Sequence, residues 1–167
     1  MKILFFLAAL NPLPIASWTR IGFFAKYFKE KGYEVYVAGI FSPKSLSKAG
    51  LSTWKDIRIL NVYPTFFIRS MFATMVFNIV SSIFTSIPLF LILRPKITII
   101  SVPPGEFAVG AYVASRVAGA TVVFDYRDEW EDYTISLINH KITKFLYSLI
   151  KKLMARLYAK SQLVVTV

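Results

Sequence analysis

The stretch Lys2-Ile3-Leu4-Phe5-Phe6-Leu7-Ala8-Ala9, closed by Asn11-Pro12 and Pro14, decides the fold. An apolar run without alternation, ended by turn residues, is how a strand buried on both faces reads, and such strands belong to parallel sheets. The same residues have a second reading. A single Lys2 before a short apolar core, with Ile15-Ala16-Ser17 behind it, also matches a signal peptide and its cleavage site. The periodic helix that follows and the lack of cysteine favour the strand.

Outward from this run, strand and helix patterns alternate. Ser17 stands where an N-cap belongs for a helix Trp18–Lys31, which Gly32 ends and whose apolar face is Ile21, Phe24, Ala25 and Phe28. Strands follow at Tyr33–Ala38, Ile57–Val62, Lys96–Val102, Thr121–Phe124 and Leu163–Val167. Phe41–Thr53, rich in Ser, Lys, Pro and Gly, reads as an exposed loop. Helices are expected at Ser70–Leu93, Glu106–Gly119 and Lys141–Lys160, and an acidic loop at Asp125–Tyr133. This predicts an α/β, doubly wound, mostly parallel Rossmann-like sheet of about six strands in the order 3-2-1-4-5-6, with helices on both faces. Residues 1–167 form one domain, and the ending Val164-Val165-Thr166-Val167, strand-like to its last residue, suggests part of a longer chain.

Composition narrows the function. Of 167 residues, 56% are hydrophobic and 17% charged, so disorder is excluded. No cysteine means no disulfide and no thiolate metal site, and the lone His140, expected on the surface at a helix start, excludes paired-histidine zinc sites. Twenty Lys and Arg against nine Asp and Glu, a net +11, call for an anionic partner. The apolar content points to a membrane surface rather than nucleic acid.

Two helices carry that expectation. Ser70–Leu93 has no charge and is long enough to span a bilayer, which takes roughly 20 residues. Its polar residues Ser70, Thr74, Asn78, Ser81, Ser82 and Thr85 nevertheless form one stripe, and Pro88 interrupts it, so a buried or interfacial amphipathic helix is expected. Lys141–Lys160 aligns Ile142, Phe145, Leu146, Leu149, Ile150, Leu153, Met154 and Leu157. Lys144, Lys151, Lys152 and Arg156 flank that face as candidate membrane-binding residues, each contributing about 1 kcal/mol beside an anionic leaflet. The alternative is a helix packed on the sheet with solvated lysines.

In a doubly wound sheet, ligands bind at the carboxyl ends of the strands, where strand order reverses. Three loops should converge there. Asn11–Ser17 lacks a glycine-rich fingerprint, which argues against NAD or FAD, while Ser17 and the amides behind it either cap the helix or hold an anion. Pro103-Pro104-Gly105-Glu106 sets Gly105 where a ligand can approach the backbone, and Glu106 either suits the helix dipole or lines the crevice. Asp125-Tyr126-Arg127-Asp128-Glu129-Trp130 is the most informative stretch. Asp125 and Asp128 suit sugar hydroxyls or proton transfer, Trp130 suits stacking on a sugar face, and Arg127 either organises the carboxylates or forms an internal ion pair with one of them.

Met1-Lys2-Ile3-Leu4, Lys31-Gly32-Tyr33-Glu34-Val35, Arg94-Pro95-Lys96, Pro103-Pro104, the run Val123 to Trp130 and the closing Ser161 to Val167 together resemble the N-terminal domain of family 4 glycosyltransferases, of GT-B architecture. That resemblance implies retaining transfer from a nucleotide-sugar donor to a lipid-linked or glycan acceptor. The acceptor lies mostly on this domain. The donor lies mainly on a C-terminal domain carrying Glu-x7-Glu, which is missing here because no Glu follows Glu131. On this reading Asp128 is catalytic. Asp125, Arg127, Trp130, Asn11, Ser17, Gly105 and Glu106 contact the acceptor, no cofactor or metal is needed, and the protein sits on the cytoplasmic, inner face of the cell membrane. The alternatives are a non-enzymatic membrane-surface or interaction module and an unrelated nucleotide-binding domain.

Overall fold

The computed structural model describes residues 1–12, 15–66, 68–103, 105–128 and 130–166, with positions 130 and 131 described by backbone alone. In chain order the elements are β1 (Lys2–Leu7), α1 (Ala16–Glu30), β2 (Glu34–Phe41), a 3-10 turn (Pro43–Lys48), β3 (Gly50–Trp54), β4 (Ile57–Pro64), α2 (Met71–Leu93), β5 (Ile97–Val102), α3 (Gly105–Val117), β6 (Thr121–Tyr126), α4 (Trp130–Leu137), α5 (Lys141–Ala159) and β7 (Leu163–Thr166). One sheet runs β3-β4-β2-β1-β5-β6-β7, parallel except for β3.

β1 is the central strand, pairing with β2 on one side and β5 on the other. Its alternate residues feed two cores. Ile3, Phe5 and Leu7 pack with Trp18, Ile21 and Ala25 of α1. Leu4 and Phe6 pack with Phe90 of α2, Phe107 and Ala111 of α3, and Met154 and Leu157 of α5. A strand apolar at every position is what this two-sided burial requires. The doubly wound order is as expected, with its switch point between β1 and β5.

Three expectations change. The loop at 41–53 holds a 3-10 turn and β3, an antiparallel edge strand hairpinned to β4 through Lys55 and Asp56, both at positive φ. Two positive φ values in a row match the tight hairpin turn that suits strand twist, here without glycine. The acidic loop is shorter than expected, because β6 extends to Tyr126 and α4 begins at Trp130. Helix α2 runs through Pro88. That proline lies on the exposed side of the helix, so the lost backbone bond falls away from the core while Phe90 anchors the next turn.

The inner side of α2 is polar. Asn78, Ser82 and Ser86 are buried in line with Met75 and Phe90. Gly110 of α3 lets the two helices meet backbone to backbone, since a Cβ there would stand 2.3 Å from the Ser82 carbonyl carbon. The other sheet face carries α1. An apolar groove of about 500 Å³ remains between α1 and β5, β6 and β7, lined by Phe23, Phe24, Tyr27, Ile97, Val123 and Val165 among others.

Candidate functional site

The loops after β1, β5 and β6 leave the sheet at its carboxyl edge beside the switch point, and each is fixed by a polar residue. In the first loop Asn11 is 3% exposed. Its amide N–H donates to Asn61 Oδ1 at 2.9 Å, its Nδ2 reaches the Leu7 and Ala38 carbonyls at 3.4 and 3.5 Å, and Asn61 Nδ2 donates back to the Asn11 carbonyl. Asn11 is thus turned toward β2 and β4 rather than β5. The knot needs Gly39, where a Cβ would stand 2.3 Å from Asn11 Nδ2 and 2.5 Å from the Ala9 carbonyl oxygen. Ser17 is not the N-cap. The helix starts at Ala16, capped by Ile15 with no side-chain bond, and Ser17 lies in the first turn. That turn carries no acid.

Asp125 is the penultimate residue of β6, buried to 3% exposure. Its Oδ1 accepts from Arg20 Nη2 at 2.7 Å and its Oδ2 from Ser101 Oγ at 3.0 Å. The internal ion pair foreseen for this stretch therefore exists with a different cation: Arg20 of α1. Arg127 instead donates through Nη2 to the Pro103 carbonyl at 2.9 Å, and its N–H continues the sheet ladder to Val102. It ties the β6 loop to the β5 loop. Asp128 is exposed at the rim. The Trp130 side chain, Pro104 and Glu129 lie outside the described residues.

Neither Arg20 nor Ser101 was singled out from the sequence. The available signal was register. Ser101 and Asp125 stand opposite each other near the ends of two neighbouring strands, and a buried carboxylate there needs a cation.

Gly105 and Glu106 open α3. A Cβ at Gly105 would stand 3.4 Å from the Met154 side chain, an ordinary contact distance, so Gly105 lies against α5. Glu106 is half-buried. Burial raises its carboxyl above the usual range, and its own backbone amide and the Asn78 side chain oppose that rise. Burial, and then the charge of Glu106, also raise the Tyr147 phenol. Glu106 therefore belongs to a polar cluster shared by α2, α3 and α5. Chemically the edge offers an exposed carboxylate at Asp128, one at Glu106 whose affinity for its proton burial raises, and an Arg20–Asp125–Ser101 brace.

The basic helix differs from expectation. Ile150, Leu153, Met154 and Leu157 face the core, but Ile142, Phe145 and Leu149 are exposed. Lys144, Lys152 and Arg156 are exposed as well. Lys151 is not a free cation, because its Nζ pairs with both Asp132 oxygens, at 2.5 and 2.6 Å. Asp132, the last acid before this helix in sequence, folds back to pair with that lysine.

Sucrose-phosphate synthase from Thermosynechococcus elongatus has the same fold, with a TM-score of 0.69 over 98% of this chain at 7% identity. A glycosyltransferase from Rickettsia africae matches over 81% of this chain at 15% identity with a TM-score of 0.48. The chain spans 41% and 34% of the lengths of those two proteins. No protein-family model matches this chain, and no curated protein does.

Proposed function

We propose that this chain is the acceptor-side half of a retaining glycosyltransferase that works at a membrane surface on a lipid-linked or glycan acceptor. The observation that carries the reading is the fold likeness to sucrose-phosphate synthase, which includes nearly all of this chain and less than half of that one. The switch-point edge and the Asp-x-Arg-Asp run support it. In this reading Asp128, exposed at the rim, accepts a hydrogen bond from the attacking acceptor hydroxyl. Glu106 and Arg127 line the crevice, and Asp125 acts through Arg20 to hold α1 against β6. The nucleotide-sugar donor and its leaving diphosphate are held by a second domain. Its cationic groups and helix N-termini stabilise the departing charge, so the 167 residues alone fold without turning donor over. The exposed Lys144, Lys152 and Arg156 suit an anionic membrane on the cytoplasmic side.

The test is transfer from radiolabelled nucleotide-sugars to a membrane lipid extract, using this chain joined to a nucleotide-binding C-terminal domain. Asp128→Asn should lower turnover by about 10²-fold or more with thermal stability unchanged. Transfer by the 167 residues alone, or full activity of the variant, would overturn the assignment.

A further inference from the structure

Every exposed residue of the 23-residue helix α2 is apolar. Its outer side carries Phe77, Val80, Phe84, Leu91 and Ile92, with Phe84 at 76% and Ile92 at 77% exposure. This inverts the usual surface helix, which turns its polar stripe outward. Here that stripe is consumed inside the molecule. Ser81 Oγ donates to the Pro64 carbonyl, Thr85 Oγ1 to the Ser81 carbonyl, Ser86 Oγ to the Tyr63 hydroxyl and Thr74 Oγ1 to the Ile68 carbonyl. No hydroxyl on the helix is left requiring water, which removes the objection to placing it against lipid.

We infer that α2 is an in-plane membrane helix whose outer row enters the boundary between headgroups and acyl chains of an anionic bilayer. Charge selects this occupant over a protein partner. A protein interface surrounds an apolar centre with a mixed polar rim. The only charges near the ends of α2 in sequence are basic: Arg69 before it, and Arg94 and Lys96 after it. No acid occurs anywhere from position 57 to 105. Helix α5, on the same face of the sheet, adds exposed Phe145 and Leu149 on one side with Lys152 and Arg156. Such a surface, apolar in the middle and cationic beside it, matches a leaflet with anionic headgroups. The helix lies flat rather than crossing, because the contact with α3 at Ser82 and Gly110 fastens its side to the domain. The inference rests on the membrane-surface part of the proposed function and names the element that inserts.

The chain has no cysteine, so Phe77→Cys, Phe84→Cys and Ile92→Cys each give one labelling site for an environment-sensitive fluorophore. Leu51→Cys on the edge strand β3 is the water-exposed control. Vesicles of phosphatidylcholine alone, and of phosphatidylcholine with an equal part of phosphatidylglycerol, are added to the 167-residue chain. Labels at 77, 84 and 92 should shift to the blue at one shared shallow depth, and the label at 51 should not. Phe84→Asp with Ile92→Asp should weaken flotation with both vesicles by about tenfold or more, with circular dichroism unchanged. Lys152→Glu with Arg156→Glu should remove only the gain from phosphatidylglycerol. Vesicle binding with the label at 84 still in water would overturn this inference and leave membrane docking through the basic helix standing. A deep 84 between shallow 77 and 92 would overturn it in favour of a span. A dimer that shields 84 without lipid would overturn it in favour of self-association, and absence of any vesicle binding would sink both readings.

Discussion

The loops after β1 and β6 reach the same edge of the sheet and are secured in opposite ways. The first is tied at Asn11, which is drawn into a buried knot with Asn61 over Gly39 and turned toward β2 and β4. Among the described residues the second is tied at its base, where Asp125 is braced by Arg20 and Ser101 and Arg127 by the Pro103 carbonyl, while Asp128 stands exposed beyond the brace. One loop uses its polar side chain to hold shape, the other to present charge. A polar residue in a candidate crevice is therefore informative only once its partners are known.

The contrast can be broken most severely at the knot. Gly39→Ala would push a methyl against a backbone oxygen and both asparagines, and should cost about 3 kcal/mol in denaturant unfolding. Next comes the brace. Asp125→Asn removes the charge facing a partly buried Arg20 and should cost about 2 kcal/mol, less than a fully buried pair because the Arg20 side chain is 28% exposed. A cost as large as that of Gly39→Ala would mean the brace matters as much as the knot.

Glu106→Gln should act through pH. A carboxyl whose folded pKa lies above its unfolded value keeps its proton longer in the folded state, so folded molecules bind more protons between the two values and stability falls as pH rises through that window. The variant should match the parent below the ordinary glutamate value of about 4.3 and exceed it in melting temperature near neutrality. Equal melting curves at neutral pH would show that Glu106 titrates normally. The smallest effect belongs to Asp128→Asn, which should change stability by less than about 0.5 kcal/mol, as for any exposed carboxylate outside a network. A larger loss would make the second loop a structural one too.

The parallel core was legible because its central strand β1 is an unbroken apolar run from Ile3 to Leu7, and so was the switch point, which follows from strand order. The edge strand β3 was not. Its middle residues Leu51, Ser52 and Thr53 are exposed, so no buried face imprints alternation on the sequence, and its turn uses Lys55 and Asp56 where glycine or asparagine would have flagged it. The stripe on α2 was found, but its direction was not. Periodicity shows that two faces differ, and only the packing of Asn78, Ser82 and Ser86 against the domain says which faces inward. At the site, residue types identified Asp125 as needing a partner. The nearest arginine in sequence, Arg127, was passed over for Arg20, 105 residues away along the chain, because the Arg20 side chain reaches from α1 to the Asp125 carboxylate.

The missing side chain at Gly110 has a further effect. With the Ser82 backbone seated directly on α3, the two helices are held side by side at close range. Helix α3 begins at Gly105 and Glu106, on the rim of the crevice. Whatever surface α2 rests on thereby sets the height of Glu106 above it, and a single glycine serves as the spacer of a depth gauge.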